Sequence, residues 1–472
     1  MIGRDEQAQL MNDALHKNKS SFLALTGRRR VGKTFLIDQV YANNFCLKVT
    51  GIQDATLQEQ IINFTQKIQK HSKKRIAQPP QNWQQVFILL INYLETLPKN
   101  IKQVIFLDEL PWICTHKSGF LKFLAHLWND YLSKERHFIL VICGSATSWI
   151  TKKIINDKGG LHNRVTLQLQ LKPFTLAETK AFLALKKIKF TNSAIVEIYM
   201  ALGGIPFYLE LLVNGESPAQ AIQRLCFNDA APLKNEYQNL YKAQFNNPEN
   251  HEAIVTTLAT SKNGLSRAVI INKAKITEGG PFTRSINDLI LCGFVIEEQP
   301  FGKLKRGSVY RLVDEYSIFY HQFIKKNKTS SKGGWQLLAA TQPYKTWAGY
   351  AFENICIKHT DQIKAALGIA NVFTKTSSFT QNANNLTAGF QVDLVIDRND
   401  NVIHLCECKF YNAPFEIDKK YATQLQIRKS LFMQNTGTNK TVFNTLITNY
   451  PMVSNPYALD SIDNSINIAQ LM

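Results

Sequence analysis

A glycine-rich segment near the amino terminus constrains the fold of this chain more than any other stretch. It fits the pattern G-x-x-x-x-G-K followed by Ser or Thr, and its members are Gly27, Arg28, Arg29, Arg30, Val31, Gly32, Lys33 and Thr34. The apolar run 22–26 is typical of a buried strand, and residues 33–41 are typical of a helix. Together they direct several backbone N–H groups at one point, which suits a triphosphate. The pattern predicts that Lys33 reaches the β- and γ-phosphates and that Thr34 binds Mg²⁺. The alternative is a chance match in an ordinary turn.

A second buried strand, residues 104–107, runs directly into Asp108 and Glu109. Continuous apolar strands are typical of the centre of a parallel sheet, and the carboxyl ends of such strands carry ligand chemistry. We therefore predict that Asp108 is a partner of the Mg²⁺ ion and that Glu109 is the base that orients the attacking water. The alternative for this pair is an acidic turn that only ends a strand.

Two further polar residues follow apolar runs in the same part of the chain. Ser145 comes after the strand-like run 138–143, where it could sense the γ-phosphate or cap a helix. Arg164 precedes the run 165–171. It is either an arginine finger directed at a neighbouring active site or an ordinary surface arginine.

Length and charge limit the classes of function. A chain of 472 residues has room for two to four domains. Its formal net charge of +19 predicts a polyanionic partner, nucleic acid first, although a lysine-rich surface kept for solubility is the alternative. We find no apolar run of eighteen residues, no signal-peptide pattern and no C-x-x-C spacing, so we expect a cytoplasmic protein without a membrane partner or zinc.

The periodicity predicts four parts along the chain. They are a nucleotide-binding core over 1–172, a helical lid over 173–245, a winged helix over 246–325 and a last domain over 326–472. In the winged helix, residues 282–291 would enter a DNA groove, and the turn residues Lys303, Lys305 and Arg306 would contact phosphates. Many winged helices serve instead as spacers between proteins. A polar, cationic stretch, 325–334, predicts a mobile linker.

The last domain contains a predicted hairpin with charged residues on one face. Its strands are 392–396 and 402–410, and the second strand places Glu407 and Lys409 on the same face. With Asn399 near the tip, Asp393 would face about Leu405, with Glu407 as its diagonal neighbour.

These carboxylates, together with Glu353 on the predicted helix 347–358, would form a hard-cation site. Asp393 and Glu407 would hold Mg²⁺, and Lys409 would position the water that the metal activates. The alternative is an exposed hairpin face with alternating charges.

The motifs resemble a known family of prokaryotic ATPases, first grouped as archaeal. These proteins join an AAA+/STAND-like P-loop domain to a winged helix and a PD-(D/E)XK nuclease-like C-terminal domain. The residues that carry the resemblance are Gly3, Arg4, Glu6, 27–34, 107–111, Gly144, Ser145, Arg164, Pro173, Phe174, 203–206, 300–302, Trp347, Gly349, Phe352, Glu353, 391–394 and 407–409. They span nearly the full chain.

The resemblance implies a fold and two sites. The fold is an α/β P-loop NTPase with a parallel sheet and a helical lid, followed by a winged helix and a restriction-endonuclease-like α/β domain. ATP would be bound and hydrolysed in the first domain, with Gly3 and Arg4 near the adenine. A metal-dependent phosphodiesterase site would consist of Glu353, Asp393, Glu407 and Lys409. Residues from 456 onward would only close the fold.

These observations lead to one main hypothesis and two alternatives. The main hypothesis is an ATPase that couples its nucleotide state to DNA binding and to Mg²⁺-dependent cleavage. The first alternative is a signalling switch in which ATP controls self-association into a homo-oligomer and the last domain is a non-catalytic interaction module. The second is a protein remodeller, which is disfavoured because we find no aromatic pore loop.

Overall fold

The computed structural model describes residues 2–245, 247–303, 307–326, 334–383 and 389–472. The chain divides into two units, residues 1–173 and residues 174–472. The first boundary predicted from sequence, 172/173, lies one residue before this division, and the finer division into four parts stays a prediction. Among the described residues, we find no helix with the length and apolar character needed to cross a membrane.

The first unit is an α/β structure around one parallel sheet. Its strands are β1 (Ser21–Thr26), β2 (Phe45–Thr50), β3 (Gln103–Asp108), β4 (Phe138–Cys143) and β5 (Leu167–Gln170). Its α-helices are α1 (Asp5–His16), α2 (Lys33–Tyr41), α3 (Leu57–Ser72), α4 (Trp83–Leu94), α5 (Leu110–Ile113), α6 (Phe120–His126) and α7 (Thr147–Ile150). Short π or 3₁₀ turns span Leu127–Tyr131, Leu132–Lys134 and Thr151–Ile155.

The strand order of this sheet, β2-β3-β4-β1-β5, places the predicted site residues at one edge. All neighbouring strands run parallel, and β1, β3 and β4 are buried along their whole length. Because parallel strands point the same way, the loops after β1, β3 and β4 meet at the carboxyl edge. The predicted α/β fold with a parallel sheet is confirmed for this unit.

The second unit begins with helices and ends with a sheet. Its α-helices are α8 (Leu176–Leu185), α9 (Asn192–Leu202), α10 (Pro206–Glu210), α11 (Pro218–Ile222), α12 (Glu236–Gln244), α13 (Glu249–Leu258), α14 (Arg267–Ala274), α15 (Gly280–Leu291), α16 (Glu315–Phe319), α17 (Gly334–Ala339), α18 (Gln342–Lys358), α19 (Thr360–Ala366), α20 (Lys419–Thr436) and α21 (Pro456–Ser461). Its strands are β6 (Leu265–Ser266), β7 (Val295–Glu298), β8 (Val309–Leu312), β9 (Thr374–Gln381), β10 (Phe390–Arg398), β11 (Val402–Lys409), β12 (Thr441–Thr448) and β13 (Asn464–Asn467). Short π or 3₁₀ turns span Gln223–Phe227, Tyr320–Ile324 and Ile468–Leu471.

A small three-stranded sheet follows the helix α13. Its order is β6-β8-β7, both pairings are antiparallel, and α14 and α15 lie between β6 and β7 in the chain. Near the tip of the β7–β8 hairpin, the Phe301 N–H donates to the Ser378 carbonyl at 2.8 Å. The Phe301 ring packs on Phe432 and Phe379, with ring centroids 5.2 and 6.5 Å apart. The hairpin is therefore packed against the last sheet.

Some sequence predictions for this region fall on residues outside the description. Lys305 and Arg306 of the predicted wing turn are outside the described residues, whereas Lys303 is exposed. Most of the predicted linker 325–334 is outside them as well.

The last sheet has the order β13-β12-β11-β10-β9. The strand β10 is antiparallel to both β9 and β11, and β12 and β13 continue parallel to β11, with α20 as the crossover between β11 and β12. Residues beyond 456 therefore add an edge strand to this sheet.

The predicted register of the β10–β11 hairpin is wrong by two residues. Leu394 pairs with Cys406, so Asp393, one residue earlier, lies opposite Glu407 instead of opposite Leu405. The reason is the turn, which centres on Asp400 because Asn401 takes a left-handed conformation with φ of 65°. Arg398 and Asp400 form an ion pair beside this turn.

Candidate nucleotide site and carboxylate cluster

The loop after β1 needs glycine at both glycine positions of the sequence pattern. Gly27 has φ of 139°, and a Cβ at this residue would lie 2.4 Å from the Leu171 carbonyl oxygen. Gly32 has φ of 88° and precedes the first residue of α2. Any side chain at Gly27 would collide with backbone, so the loop can close next to β5 only with glycine.

Lys33 lies inside this loop and not at its surface. Its side chain is only 6% exposed, and its Nζ donates to the carbonyl oxygens of Gly27 and Arg28 at 2.8 and 3.0 Å. The ammonium is thereby held at the centre of the loop, where it would meet the phosphates of a bound nucleotide.

Thr34 and Asp108 are brought together from the first turn of α2 and the end of β3. The Thr34 hydroxyl donates to Asp108 Oδ2 at 3.0 Å, and the Glu109 N–H donates to Asp108 Oδ1, also at 3.0 Å. A hydroxyl and a buried carboxylate in contact are a suitable oxygen set for Mg²⁺, which takes few protein ligands and keeps several waters. The residues present therefore fit the ion that the sequence predicts.

Glu109 is held in place by the next strand end. Its backbone is left-handed, with φ of 46°, and its Oε2 accepts hydrogen bonds from Ser145 N at 3.0 Å and Ser145 Oγ at 3.1 Å. The alternative in which Ser145 caps a helix is wrong, because Ala146 is the cap residue of α7. Ser145 instead fixes the predicted base.

Thr147 is a site residue that sequence reasoning missed. Its Oγ1 accepts a hydrogen bond from the Gly27 N–H at 3.1 Å, across 120 positions of sequence. It therefore ties the phosphate loop to the end of β4. The signal was a second hydroxyl two residues after Ser145 at the same strand end, but its partner is too distant in sequence to infer.

Arg4, close to the amino terminus, is hydrogen-bonded to the same loop. Its Nη2 donates to the carbonyl oxygens of Val31 and Lys172 at 3.2 and 2.7 Å, and the side chain is 7% exposed. Gly3, next to it, has φ of 63°. Arg164 is exposed, and its backbone N–H donates to the Leu161 carbonyl at 3.1 Å. Adenine contacts by Gly3 and Arg4, and a finger role for Arg164, stay predictions.

The comparison with known proteins identifies this part of the chain. Residues 2–212 match a family described as an ATPase domain predominantly from Archaea. The amino-terminal part is an archaeal-type ATPase domain. An uncharacterized protein of Methanocaldococcus jannaschii is 23% identical over 437 residues, which cover 91% of this chain and 92% of that protein.

Two further similarities concern smaller parts of the chain. An uncharacterized ATP-binding protein of the same archaeon is 29% identical over 188 residues, or 39% of this chain and 50% of that protein. The solved structure of a Walker-type ATPase of Pyrococcus abyssi superposes with a TM-score of 0.50 at 18% identity. It covers 68% of this chain and 96% of that chain, and it supports the fold of the ATPase domain.

Far along the chain from the ATPase domain, the last sheet brings charged residues together around Glu407. This carboxylate contacts Lys409 Nζ at 2.7 Å, the Tyr421 hydroxyl at 2.8 Å and Arg428 Nη1 at 3.3 Å. Asp393 Oδ2 accepts a hydrogen bond from Cys408 N at 3.0 Å. Tyr421 and Arg428 belong to α20 and were not predicted from sequence.

Burial and neighbouring charges shift the pKa values of the three acids of this cluster in different directions. Burial, and then the charge of Asp393, raise the pKa of Glu353 to about 8. Burial, and then the charge of Glu407, raise the pKa of Asp393 to about 7. Burial alone would raise the pKa of Glu407, but Lys409 and Arg428 reverse this and hold that pKa below its ordinary value.

The expected three-carboxylate metal site is not formed. Among the described residues, no three Asp, Glu, His or Cys side chains are grouped so that they could hold one metal ion. The oxygens of Glu407 are instead engaged by Lys409, Tyr421 and Arg428. A site with only Asp393 and Glu407 as protein ligands stays a prediction, as do catalytic roles for Glu353 and Lys409.

Proposed function

We propose that the ATPase domain binds ATP with Mg²⁺ and hydrolyses it. The observation that carries this proposal is the Thr34–Asp108 contact at 3.0 Å beside the enclosed Lys33 ammonium. Lys33 would bind the phosphates, and Thr34 and Asp108 would hold the ion. The ion would supply charge neutralisation for the terminal phosphate.

Glu109 is the residue proposed to act on the attacking water. Its carboxylate lies at the carboxyl edge of the sheet and is oriented by two hydrogen bonds from Ser145. A base that is fixed in this way loses little freedom when the water is aligned.

The substitution Lys33→Ala tests this proposal. It should lower ATP turnover at least about a hundredfold, because the loop loses its only buried ammonium among the described residues. Lys17→Ala, at an exposed lysine after α1, is the matched control and should retain turnover. Ordinary turnover in the Lys33→Ala protein would overturn the proposal.

For the second unit, we propose that nucleic acid is bound and that Asp393, Glu407 and Lys409 cleave it with Mg²⁺. The net charge of +19 and the order of α13, β6, α14, α15, β7 and β8, which is that of a winged helix, support binding. The placement of Asp393 opposite Glu407 supports a two-carboxylate Mg²⁺ site. Glu353 would be the third acid beside them.

The alternative is that the last domain is a non-catalytic interaction module in an ATP-controlled switch. A specific observation favours it, since Lys409, Tyr421 and Arg428 already satisfy the oxygens of Glu407. A metal ion would have to displace some of these partners.

One experiment separates the two roles. Labelled duplex, branched and single-stranded DNA are incubated with the full chain and Mg²⁺, with and without ATP. Cleavage that disappears in the Asp393→Ala, Glu407→Ala protein supports the nuclease role. Binding without cleavage under every nucleotide condition overturns it and leaves the switch.

A further inference from the structure

The second unit contains a cavity that neither proposed site uses. Its volume is about 670 Å³, within the range of roughly 300–1,000 Å³ typical of small-molecule sites. It lies between α13, the turn Tyr320–Ile324 and α18, and its apolar wall includes Leu258, Leu312 and Ile318. Its size and its walls allow it to enclose a ring-sized apolar group.

The rim of this cavity carries positive charge. Lys262, Lys325 and Lys326 line it, and no carboxylate is among its lining residues. Lys262 Nζ lies 3.7 Å from the centre of the Tyr350 ring, and Lys326 Nζ donates to a neutral glutamine amide at 3.2 Å. Within the part of the chain described, none of the three lysines forms an ion pair. An anionic group would therefore be attracted to this rim.

The positive charge of Lys325 also acts on the pKa of one acid outside the lining, Glu252. Lys325, together with Lys242, offsets part of the pKa rise that burial gives Glu252. The imidazole of His321, which lines the cavity, has its pKa lowered to about 4 by burial and then by Lys325 and Lys326. The positive charge of the lysines thus acts on both groups in addition to burial.

Three lining residues contain buried polar atoms without a hydrogen-bond partner among the described residues. They are the indole N–H of Trp347, the side-chain oxygen of Asn354 and Nε2 of His321. Trp347 is 4% exposed and Asn354 is 7% exposed. Buried polar atoms in folded proteins are normally paired, so the residues that line this cavity retain hydrogen-bonding capacity that the described residues leave unused.

We propose that this cavity binds a nucleoside monophosphate group, either free or at the 5′ end of a nucleic-acid strand. The lysine rim takes the phosphate, and the aromatic and aliphatic walls take the base. The Trp347 N–H and the Asn354 oxygen meet acceptor and donor atoms on the edge of that base. The site is separate from the phosphate loop and does not depend on ATP hydrolysis.

Calorimetry on the full chain tests this assignment. The Lys33→Ala protein serves as background to suppress nucleotide binding at the phosphate loop. The probes are AMP, inorganic phosphate, and one single-stranded oligonucleotide with and without a 5′-phosphate. We expect AMP to bind, and the dissociation constant to rise at least tenfold after Lys262→Glu with Lys325→Glu. Lys189→Glu, at an exposed lysine outside the lining, is the control and should leave it unchanged.

A second variant tests the base contact separately from charge. Asn354→Leu removes the buried oxygen and should weaken AMP binding without changing the binding of inorganic phosphate. In otherwise wild-type protein, the double lysine variant should keep its ATP turnover.

The remaining outcomes decide between sources or overturn the assignment. Oligonucleotide binding that requires the 5′-phosphate assigns the site to a strand end, whereas AMP binding alone assigns it to a free nucleotide. Three results would overturn the proposal: no binding of AMP or the phosphorylated strand, AMP binding that the lysine reversals leave intact, or inorganic phosphate binding as tightly as AMP.

Discussion

At the scale of single residues, the nucleotide site depends on contacts between sequence-distant strand ends. The loop 27–34 was predictable because its pattern is local. The Thr147–Gly27 hydrogen bond was not, since it joins residues that only the sheet order β3-β4-β1 brings together. The same holds for the Ser145–Glu109 pair. Local patterns thus identified the chemistry, and the sheet determined which neighbours hold it in place.

Removal of the Thr147 hydroxyl should loosen the phosphate loop. Thr147→Val keeps the shape but leaves the buried Gly27 N–H without its acceptor, which costs about 1–3 kcal/mol of unfolding free energy. Urea unfolding and ATP affinity would both report the loss. Thr147→Ser retains the hydroxyl and should restore most of both quantities. If the valine variant matches wild type in both, Thr147 has no such role.

The two raised carboxyl pKa values predict how stability depends on pH. Glu353 and Asp393 keep a proton in the folded chain at pH values where the unfolded chain has lost it. Their contribution to stability is therefore present below their ordinary pKa values, 4.5 and 3.8, and is lost as the pH rises through about 7 to 8.

Glu353→Gln removes one of these titrations. Relative to wild type, this variant should gain at least about 1.4 kcal/mol of unfolding free energy, the equivalent of one pKa unit, between about pH 5 and about pH 8.5. Chemical unfolding at both pH values measures the difference. Glu59→Gln is the control, because capping hydrogen bonds from Thr56 lower the pKa of Glu59 and it stays ionised across this window. A constant difference between Glu353→Gln and wild type would contradict the prediction.

At the scale of secondary-structure elements, the long apolar runs were predicted well and the pairing was not. The predicted strand 138–143 has the bounds of β4, and the predicted helix 33–41 has those of α2. The hairpin register failed because the left-handed Asn401 shifts the turn centre, a backbone choice that composition does not reveal. The partners of Glu407 on α20 were also hidden, since Tyr421 and Arg428 reach it from a crossover helix.

The packing of the β7–β8 hairpin on the last sheet can be tested at Phe301. Phe301→Ala removes the ring that packs on Phe379 and Phe432, and it should lower the unfolding free energy by about 1–2 kcal/mol. Phe373→Ala changes a ring that is 67% exposed and should stay within about 0.5 kcal/mol of wild type. Equal effects from the two substitutions, measured by urea unfolding, would show that the hairpin contact contributes nothing.

At the scale of the whole molecule, the proposed functions require that the nucleotide state of the ATPase domain affects how the positively charged chain binds nucleic acid. The +19 charge was evident from sequence, whereas the lysine-rimmed cavity was not, because its lining comes from separate stretches between positions 256 and 354. The exposed Arg164 provides a test of whether two copies of the chain cooperate in ATP turnover.

If Arg164 reaches the ATP of a neighbouring copy, turnover per molecule should rise with protein concentration. Arg164→Ala should abolish this rise and lower the maximal rate roughly tenfold or more, because an arginine supplied to the terminal phosphate stabilises its developing charge. Arg136→Ala, at another exposed arginine of the first unit, should change neither. A wild-type rate per molecule that is independent of concentration would assign Arg164 to the surface only.

The packing of Phe301 on Phe379 of the last sheet and on Phe432 of α20 limits how the β7–β8 hairpin could contact a duplex. Because the Phe301 ring is packed on Phe432 and the Phe301 N–H donates to the Ser378 carbonyl, this part of the hairpin is not free to enter a groove. Among the described residues of this segment, a polyanion could still meet the outward side of α15, where Arg284 and Asn287 are exposed, and Lys303. Recognition by that surface would favour shape and phosphate spacing over base sequence.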